Sequence, residues 1–357
     1  MRQAYFSQTP SRAASGLALP LALVYCGLVA YASLYPFADW QSQGVMPWAF
    51  ALAPLPRYWS GFDVAINVLG YIPLGLLLTL VVIHLARSSW RRAMGLAIAL
   101  ACLLSFAMEA LQTFLAPRFA SNADWALNTL GAALGAGLAW TAEGLGVLRG
   151  WQRWREGRFA AGSDFALGLL LLWPIALLYP TPVPLGLGHG VGQLLDLQTQ
   201  DLSARLEAVV IGLGLLIPLF LAFAITPKLL HRIALLVLIG IAGFGMTTLS
   251  NGLSFGPERA VIWLDSPAQY GLWCALGIGA IGLATQLRMS WLLAFMCLVP
   301  YLSLQSTVAL DPYFAQTLAM WEGGQFIRFY GAIQWLGWLW PYAALLLVIT
   351  RITITSS

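Results

Sequence analysis

The chain has 357 residues, of which 60% are hydrophobic and only 9% are charged, whereas a soluble domain carries roughly a quarter charged residues. This composition excludes water as the main solvent of the protein. The net charge of +4 is small, and in a membrane protein an excess of Arg and Lys usually sets orientation. We therefore expect the lipid bilayer as the main partner and no nucleic acid.

Long apolar stretches recur along the whole chain. About 20 helical residues are needed to cross a hydrocarbon core about 30 Å thick, and an open sheet would leave backbone groups unpaired in lipid. We therefore predict an all-α fold, a polytopic transmembrane helical bundle with about ten spans. The spans are predicted near residues 16–36, 61–84, 93–115, 124–147, 164–182, 207–226, 232–252, 267–287, 289–306 and 331–350.

The positions of the basic residues predict the orientation of these spans. With a cytoplasmic N terminus, 13 of the 18 basic residues lie in cytoplasmic segments, which favours an N-in, C-in topology by the positive-inside rule. They are Arg2, Arg12, Arg87, Arg91, Arg92, Arg149, Arg153, Arg155, Arg158, Lys228, Arg232, Arg288 and Arg351. A cleaved signal peptide is the alternative for the first span, because Ala30-Tyr31-Ala32 has the form of a cleavage site.

The most polar stretch of the chain, residues 149–158, predicts a boundary between two membrane domains. We expect an N-terminal four-helix domain over 1–148, a basic cytoplasmic linker over 149–158 and a C-terminal domain of about six helices over 159–357. Each basic residue of the linker would contribute about 1 kcal/mol of attraction to anionic headgroups. The alternative is that these residues act only as a topology signal. Long outer loops are predicted near 37–60, 183–203 and 307–330.

Two predicted helices share a sequence pattern. Span two contains Asp63-Val-Ala-Ile-Asn67-Val-Leu-Gly70, and span four contains Asp124-Trp-Ala-Leu-Asn128-Thr-Leu-Gly131. Since both spans run in the same direction, this pattern indicates a parallel internal duplication. The small residues Gly70, Gly75, Gly131 and Gly135 predict close helix packing.

Polar side chains gather at one membrane depth in this region. Residues three or four apart share a helix face, so Asp63 lies beside Asn67, Asp124 beside Asn128, and Ser105 and Gln112 near Glu109. We predict a binding site at the outer ends of these helices. Its candidate ligand-binding residues are Asp63, Asn67, Glu109, Gln112, Arg118, Asp124 and Asn128. The alternative for each is structural, as a helix cap or an interhelical hydrogen bond.

These runs resemble the VanZ family. The resemblance rests on Asp63-x-x-x-Asn67-x-x-Gly70-x-x-Pro73-x-Gly75, on Ser105-x-x-x-Glu109-x-x-Gln112 with Arg118 following, and on Asp124-x-x-x-Asn128-x-x-Gly131-x-x-x-Gly135. It covers roughly residues 15–148. It implies a fold and a polar site, a bacterial cell (inner) membrane as the location, and a loose association with glycopeptide resistance or envelope modification.

Three functions follow as hypotheses. The first is binding of an envelope lipid or lipid-linked precursor, with Arg118 holding a phosphate or carboxylate of its headgroup. The second is a membrane enzyme in which Glu109 and Asp124 act as acid and base, or ligate a hard cation through oxygen. The third is a transporter of a lipid or small solute. No cofactor is indicated by any motif.

Overall fold

The computed structural model of the protein describes residues 17–35, 37, 40–56, 61–86, 89–116, 118–188, 202–308 and 327–356. Most of the predicted outer loops at 183–203 and 307–330 therefore lie outside the described residues, as do Arg2, Arg12, Arg57 and Arg87. Within the described ranges the chain forms eleven α-helices and no strand. They are α1 Ala18–Leu34, α2 Gly61–Ala86, α3 Trp90–Gln112, α4 Asn122–Gly144, α5 Val147–Glu156, α6 Asp164–Ala176, α7 Ala204–Ile225, α8 Leu229–Phe255, α9 Ser266–Gly282, α10 Leu287–Gln305 and α11 Ile327–Ser356.

The all-α membrane fold predicted from composition is confirmed. Each of the ten predicted spans corresponds to one of the described helices, and α5 is the described helix for which no span was predicted. Six helices, α2, α3, α7, α8, α10 and α11, contain stretches long and apolar enough to cross a membrane. The number of spans and their orientation stay predictions.

The described residues form two compact units, one up to Gly157 and one from Arg158 onward. In the first unit α2 lies along α4. Asn67 meets Asp124, and further along both helices Gly75 meets Ala132. Because these contacts advance in the same direction along both helices, α2 and α4 run parallel, which is the relation predicted from their shared pattern.

Glycines allow the close approach of α2 and α4. A Cβ atom at Gly131 would overlap the carbonyl oxygen of Val68, and one at Gly135 would overlap that of Ile72. A Cβ at Gly75 would overlap the Ala132 backbone in return. Gly70 differs from the expectation, because a Cβ there would meet nothing within 4 Å. Its carbonyl oxygen instead accepts a hydrogen bond from the Tyr25 hydroxyl of α1, at 2.8 Å.

The second unit is built around α7. This helix is buried along nearly its whole length, from Val210 to Ile225, and α6, α9 and α10 pack against it. A helix with apolar side chains on all faces is typical of the centre of a membrane bundle. The core of this unit therefore lies along α7.

The predicted span at 164–182 is longer than the helix that forms. Helix α6 ends at Ala176, with Pro174 in its last turn and Pro180 and Pro182 beyond it. The following residues are buried without being helical, including Leu185 and Leu187, each 1% exposed. The Tyr301 hydroxyl holds this segment, because it donates to the Leu185 carbonyl and accepts from the Leu187 N–H, both at 2.6 Å. Non-helical backbone is tolerated at membrane depth when protein groups satisfy it in this way.

Arg232 of α8 is also a structural residue. It is buried, and its guanidinium donates to the carbonyl oxygens of Phe223 at 2.9 Å and Thr226 at 2.7 Å, at the end of α7. It also donates to those of Leu283 and Thr285, which follow α9. Carbonyl groups at a helix C terminus have no intrahelical donor and carry partial negative charge. Arg232 therefore satisfies two helix ends at once.

Candidate functional site

Helices α2, α3 and α4 bring together the polar residues that the sequence singled out. The first turns of α2 and α4 lie beside the last turns of α3, because α3 runs antiparallel to both. We call Asp63, Asn67, Glu109, Asp124 and Asn128 the carboxylate–amide cluster. It contains three carboxyl groups and two amides, contributed by three helices.

The two halves of the repeat meet directly in this cluster. The Asn67 side-chain amide donates to the Asp124 carboxylate, with 2.8 Å between Nδ2 and Oδ1. Asp63, which precedes Asn67 by one turn, is exposed, and it is close enough to Asp124 for the two carboxylate charges to interact. Asp63 and Asp124 therefore place two carboxylates at the same end of the helix pair, one exposed and one half-buried.

Glu109 is the most deeply buried acid of the cluster, at 4% exposure. Its Oε2 accepts a hydrogen bond from the backbone N–H of Ser121, at 2.8 Å. Ser121 is the N-cap of α4, and its hydroxyl accepts from the Asp124 N–H at 3.3 Å. The Glu109 carboxyl also lies within electrostatic range of the Asp124 carboxyl and the Arg118 guanidinium. A carboxyl group thus sits at the buried start of α4, where the helix dipole favours negative charge.

Asn128 and Tyr71 extend the polar region inward. The Asn128 amide donates to the Ser105 hydroxyl at 3.0 Å. Its other side-chain atom, Oδ1, is buried and has no hydrogen-bond partner in the described part of the chain. Tyr71 lies beside Ser105 and within electrostatic range of Glu109. A buried polar atom without a partner is costly, so a hydrogen-bond donor supplied to Asn128 Oδ1 would stabilise the cluster.

Arg118 and Gln112 contact the C-terminal end of α1. The Arg118 Nη2 atom donates to the carbonyl oxygens of Ala32 at 3.0 Å and Tyr35 at 3.1 Å, and the Gln112 amide donates to that of Ser33 at 3.0 Å. All three acceptors lie at the C-terminal end of α1. Both side chains therefore fasten α1 to the end of α3 and to the loop that follows it, and their contact with a ligand stays a prediction.

Aromatic side chains pack between a short 3-10 helix and the helices α3 and α4. Phe50 lies on a short 3-10 helix, Ala49–Leu52, and its ring is 5.2 Å from that of Phe106 and 6.3 Å from that of Trp125. The Asn122 side chain donates to the Ala53 carbonyl at 2.6 Å, which fastens the same segment to the start of α4. This segment therefore packs against the start of α4, next to Asp124 in sequence, while Asp63 stays exposed.

Sequence reasoning did not single out Tyr25 or Tyr71. Tyr71 follows Asn67 by four residues, so the helical spacing that paired Asp63 with Asn67 also places Tyr71 on that face. A tyrosine in an apolar helix gives no other signal, because its ring packs like any aromatic side chain. Tyr25 could not be found from local spacing, since its contact with Gly70 joins residues that are 45 positions apart.

No group of three His, Cys, Asp or Glu side chains arranged to hold a metal ion occurs among the residues that the structure describes. The four cysteines, all within described helices, are unpaired.

The fold and the cluster together define a multi-pass helical membrane protein with a polar site at one end of its N-terminal unit. Residues 9–143 match the family model VanZ/LLP1, so the N-terminal part of this chain is a VanZ-like domain. The resemblance seen in the sequence motifs is thereby confirmed. No curated protein and no solved structure gives a significant match to the chain.

Proposed function

We propose that the VanZ-like domain binds the polar headgroup of an envelope lipid or lipid-linked precursor at the carboxylate–amide cluster, on the outer side of the membrane. One observation carries the proposal: at its inner end the cluster has a buried side-chain oxygen, Asn128 Oδ1, that lacks a hydrogen-bond partner in the described chain. Ionisable groups inside a membrane protein are costly and mark functional sites by default.

Exposed apolar side chains next to the cluster favour a lipid over a soluble ligand. On α2, Asp63 is exposed and is followed by Ile66 and Leu69, which are 44% and 62% exposed. In a bilayer these two side chains contact acyl chains. A lipid could therefore lie along α2 with its headgroup at Asp63 and Asp124.

The chemistry of the cluster indicates what such a headgroup carries. Ionised carboxylates only accept hydrogen bonds, and they accept most strongly from charged or well-oriented donors. Asp63 and Asp124 therefore suit sugar hydroxyl, amide or ammonium groups. In this proposal Arg118 and Gln112 position α1 at the edge of the site, and Glu109 supports the start of α4.

The proposal is tested by native mass spectrometry of the full chain purified in mild detergent. Wild type is compared with Asp63→Asn and Asp124→Asn, and the matched control is Glu143→Gln, which removes a carboxylate from the other end of α4. We expect a co-purifying lipid in the wild type and the control, and its loss in both cluster variants. Retention of the same lipid in both cluster variants, with folding intact, contradicts the proposal.

A second arm separates a lipid from its free headgroup. Thermal unfolding is followed while phosphatidylethanolamine, phosphatidylglycerol or soluble phosphoethanolamine is added. A ligand that binds only the folded state raises the midpoint, and the rise grows with the logarithm of its concentration relative to its Kd. We expect a rise with at least one of the lipids that is absent in Asp63→Asn. A rise with phosphoethanolamine alone would identify a soluble ligand instead.

A further inference from the structure

Helix α5 presents three distinct faces. Successive residues of an α-helix are rotated by about 100°, so Leu148 and Arg155 share one face, and Val147, Trp151 and Trp154 share another. The first face packs against the unit: Leu148 contacts the apolar group formed by Ala18, Leu80 and Ala139, and Arg155 is buried. This contact fixes the rotation of α5 about its axis.

The second face of α5 is apolar and exposed. Val147, Trp151 and Trp154 are 57%, 39% and 43% exposed, and the two indole rings stack at 5.1 Å. Exposed tryptophan pairs are unusual on a surface that faces water, whereas indole rings favour the membrane–water interface. The exposed face therefore suits the boundary between headgroups and acyl chains.

The third face is polar and predominantly basic. It carries Arg149, Arg153 and Glu156, and Glu156 accepts a hydrogen bond from Gln152 at 2.7 Å. With Arg155 and Arg158, the segment has four arginines and one acid. An amphipathic helix with tryptophan on one side and arginine on the other lies in the interface plane, and it is attracted by anionic lipids.

The position of α5 in the chain agrees with such a location. Two residues separate the end of α4 at Gly144 from the start of α5 at Val147, and Gly146 makes the turn with a φ of 75°. Such a left-handed conformation is readily adopted by glycine. Since α4 packs against α2 and α3, two helices that are long and apolar enough to cross a membrane, and α5 leaves α4 by a sharp turn, a location of α5 at the membrane surface fits its place in the chain.

We infer that α5 is an interfacial helix that binds the surface of an anionic phospholipid bilayer, with Val147, Trp151 and Trp154 inserted and Arg149 and Arg153 paired with lipid phosphates. This inference does not rest on the proposed headgroup site. Charge complementarity identifies the occupant: a face flanked by arginines fits a negatively charged bilayer better than a second copy of this basic chain.

The test uses the full chain, with Cys26, Cys102, Cys274 and Cys297 replaced by Ala, in nanodiscs that hold one copy each. A spin label is placed on Val147→Cys, on the apolar face, or on Glu156→Cys, the matched control on the polar face. The accessibility of each label to oxygen and to a neutral nickel chelate reports its depth in the bilayer. We expect the label at 147 to be shielded from the chelate several-fold more than the label at 156 when the bilayer contains phosphatidylglycerol.

Two comparisons make the outcome decisive. We expect the shielding at 147 to fall in pure phosphatidylcholine, and also in Arg149→Gln/Arg153→Gln with phosphatidylglycerol. Each basic residue removed should lower the equilibrium constant for docking of α5 about fivefold. The control Arg91→Gln/Arg92→Gln removes the same charge from the exposed start of α3 and should leave it unchanged. Equal accessibility at 147 and 156 overturns the inference. Shielding that is independent of lipid charge overturns it as well.

Discussion

The Asn67 amide of α2 donates to the Asp124 carboxylate of α4, so the second polar position of one repeat half bonds to the first polar position of the other. The two halves do not repeat this contact symmetrically, because Asn128, the counterpart of Asn67, donates to Ser105 of α3. The Asn67 amide therefore connects α4 to α2, and the Asn128 amide connects α4 to α3.

A double-mutant cycle measures the first of these contacts. Asn67→Ala, Asp124→Ala and the double variant are unfolded in detergent, and we expect a coupling free energy of about 0.5–1.5 kcal/mol, as for hydrogen bonds between membrane helices. A parallel cycle of Asn67→Ala with Glu143→Gln serves as the control and should show no coupling. Equal coupling in the two cycles would mean that the bond contributes nothing specific.

Close packing of α2 on α4 predicts sensitivity to one added methyl group. Gly135→Ala would place a Cβ against the Ile72 carbonyl and the Leu76 N–H, and we expect the free energy of unfolding to fall by about 1–3 kcal/mol. Gly137→Ala is the control, because a Cβ there meets nothing within 4 Å. Since Ala favours a helix over Gly by about 1 kcal/mol, that control should be neutral or stabilising. Chemical unfolding of both variants decides the question.

The contacts of Arg118 predict a positioning role. In Arg118→Gln the carbonyls of Ala32 and Tyr35 lose a charged donor, so we expect faster hydrogen exchange at residues 31–35 and a lower unfolding midpoint. The co-purifying lipid should be retained in this variant at the same detergent concentration. Loss of the lipid with unchanged exchange would show instead that Arg118 holds the ligand.

The buried guanidinium of Arg232 predicts a large effect of a conservative replacement. A lysine ammonium cannot match the planar fork that reaches carbonyls at two helix ends, so Arg232→Lys should lose about 2 kcal/mol or more of stability. Arg288→Lys, at an exposed position near the start of α10, is the control and should change little. Thermal unfolding of the two variants side by side provides the measurement. An Arg232→Lys variant as stable as the control would contradict the structural role.

The sequence alone determined the fold class and most of the helices, because apolar runs long enough to cross a bilayer leave the backbone few alternatives to an α-helix. It also determined that Asp63 and Asn67, and Asp124 and Asn128, share faces, since helical periodicity is local. The length of α6 was not determined in this way. Hydropathy continues past Ala176, but the prolines and the bonds from Tyr301 produce a buried non-helical segment.

Only the tertiary structure decided which polar groups bond to one another. Glu109 lies in the last turn of α3 and Arg118 in the loop after it; Arg118 bonds to α1, whereas Glu109 bonds to the start of α4. Tyr25 bonds to the Gly70 carbonyl of α2, and Tyr71 lies beside Ser105 of α3, both contacts with residues distant in the chain. Local spacing fixes the face of a helix on which a side chain lies, whereas its partner depends on how the helices pack, and that is set by contacts between residues far apart in sequence.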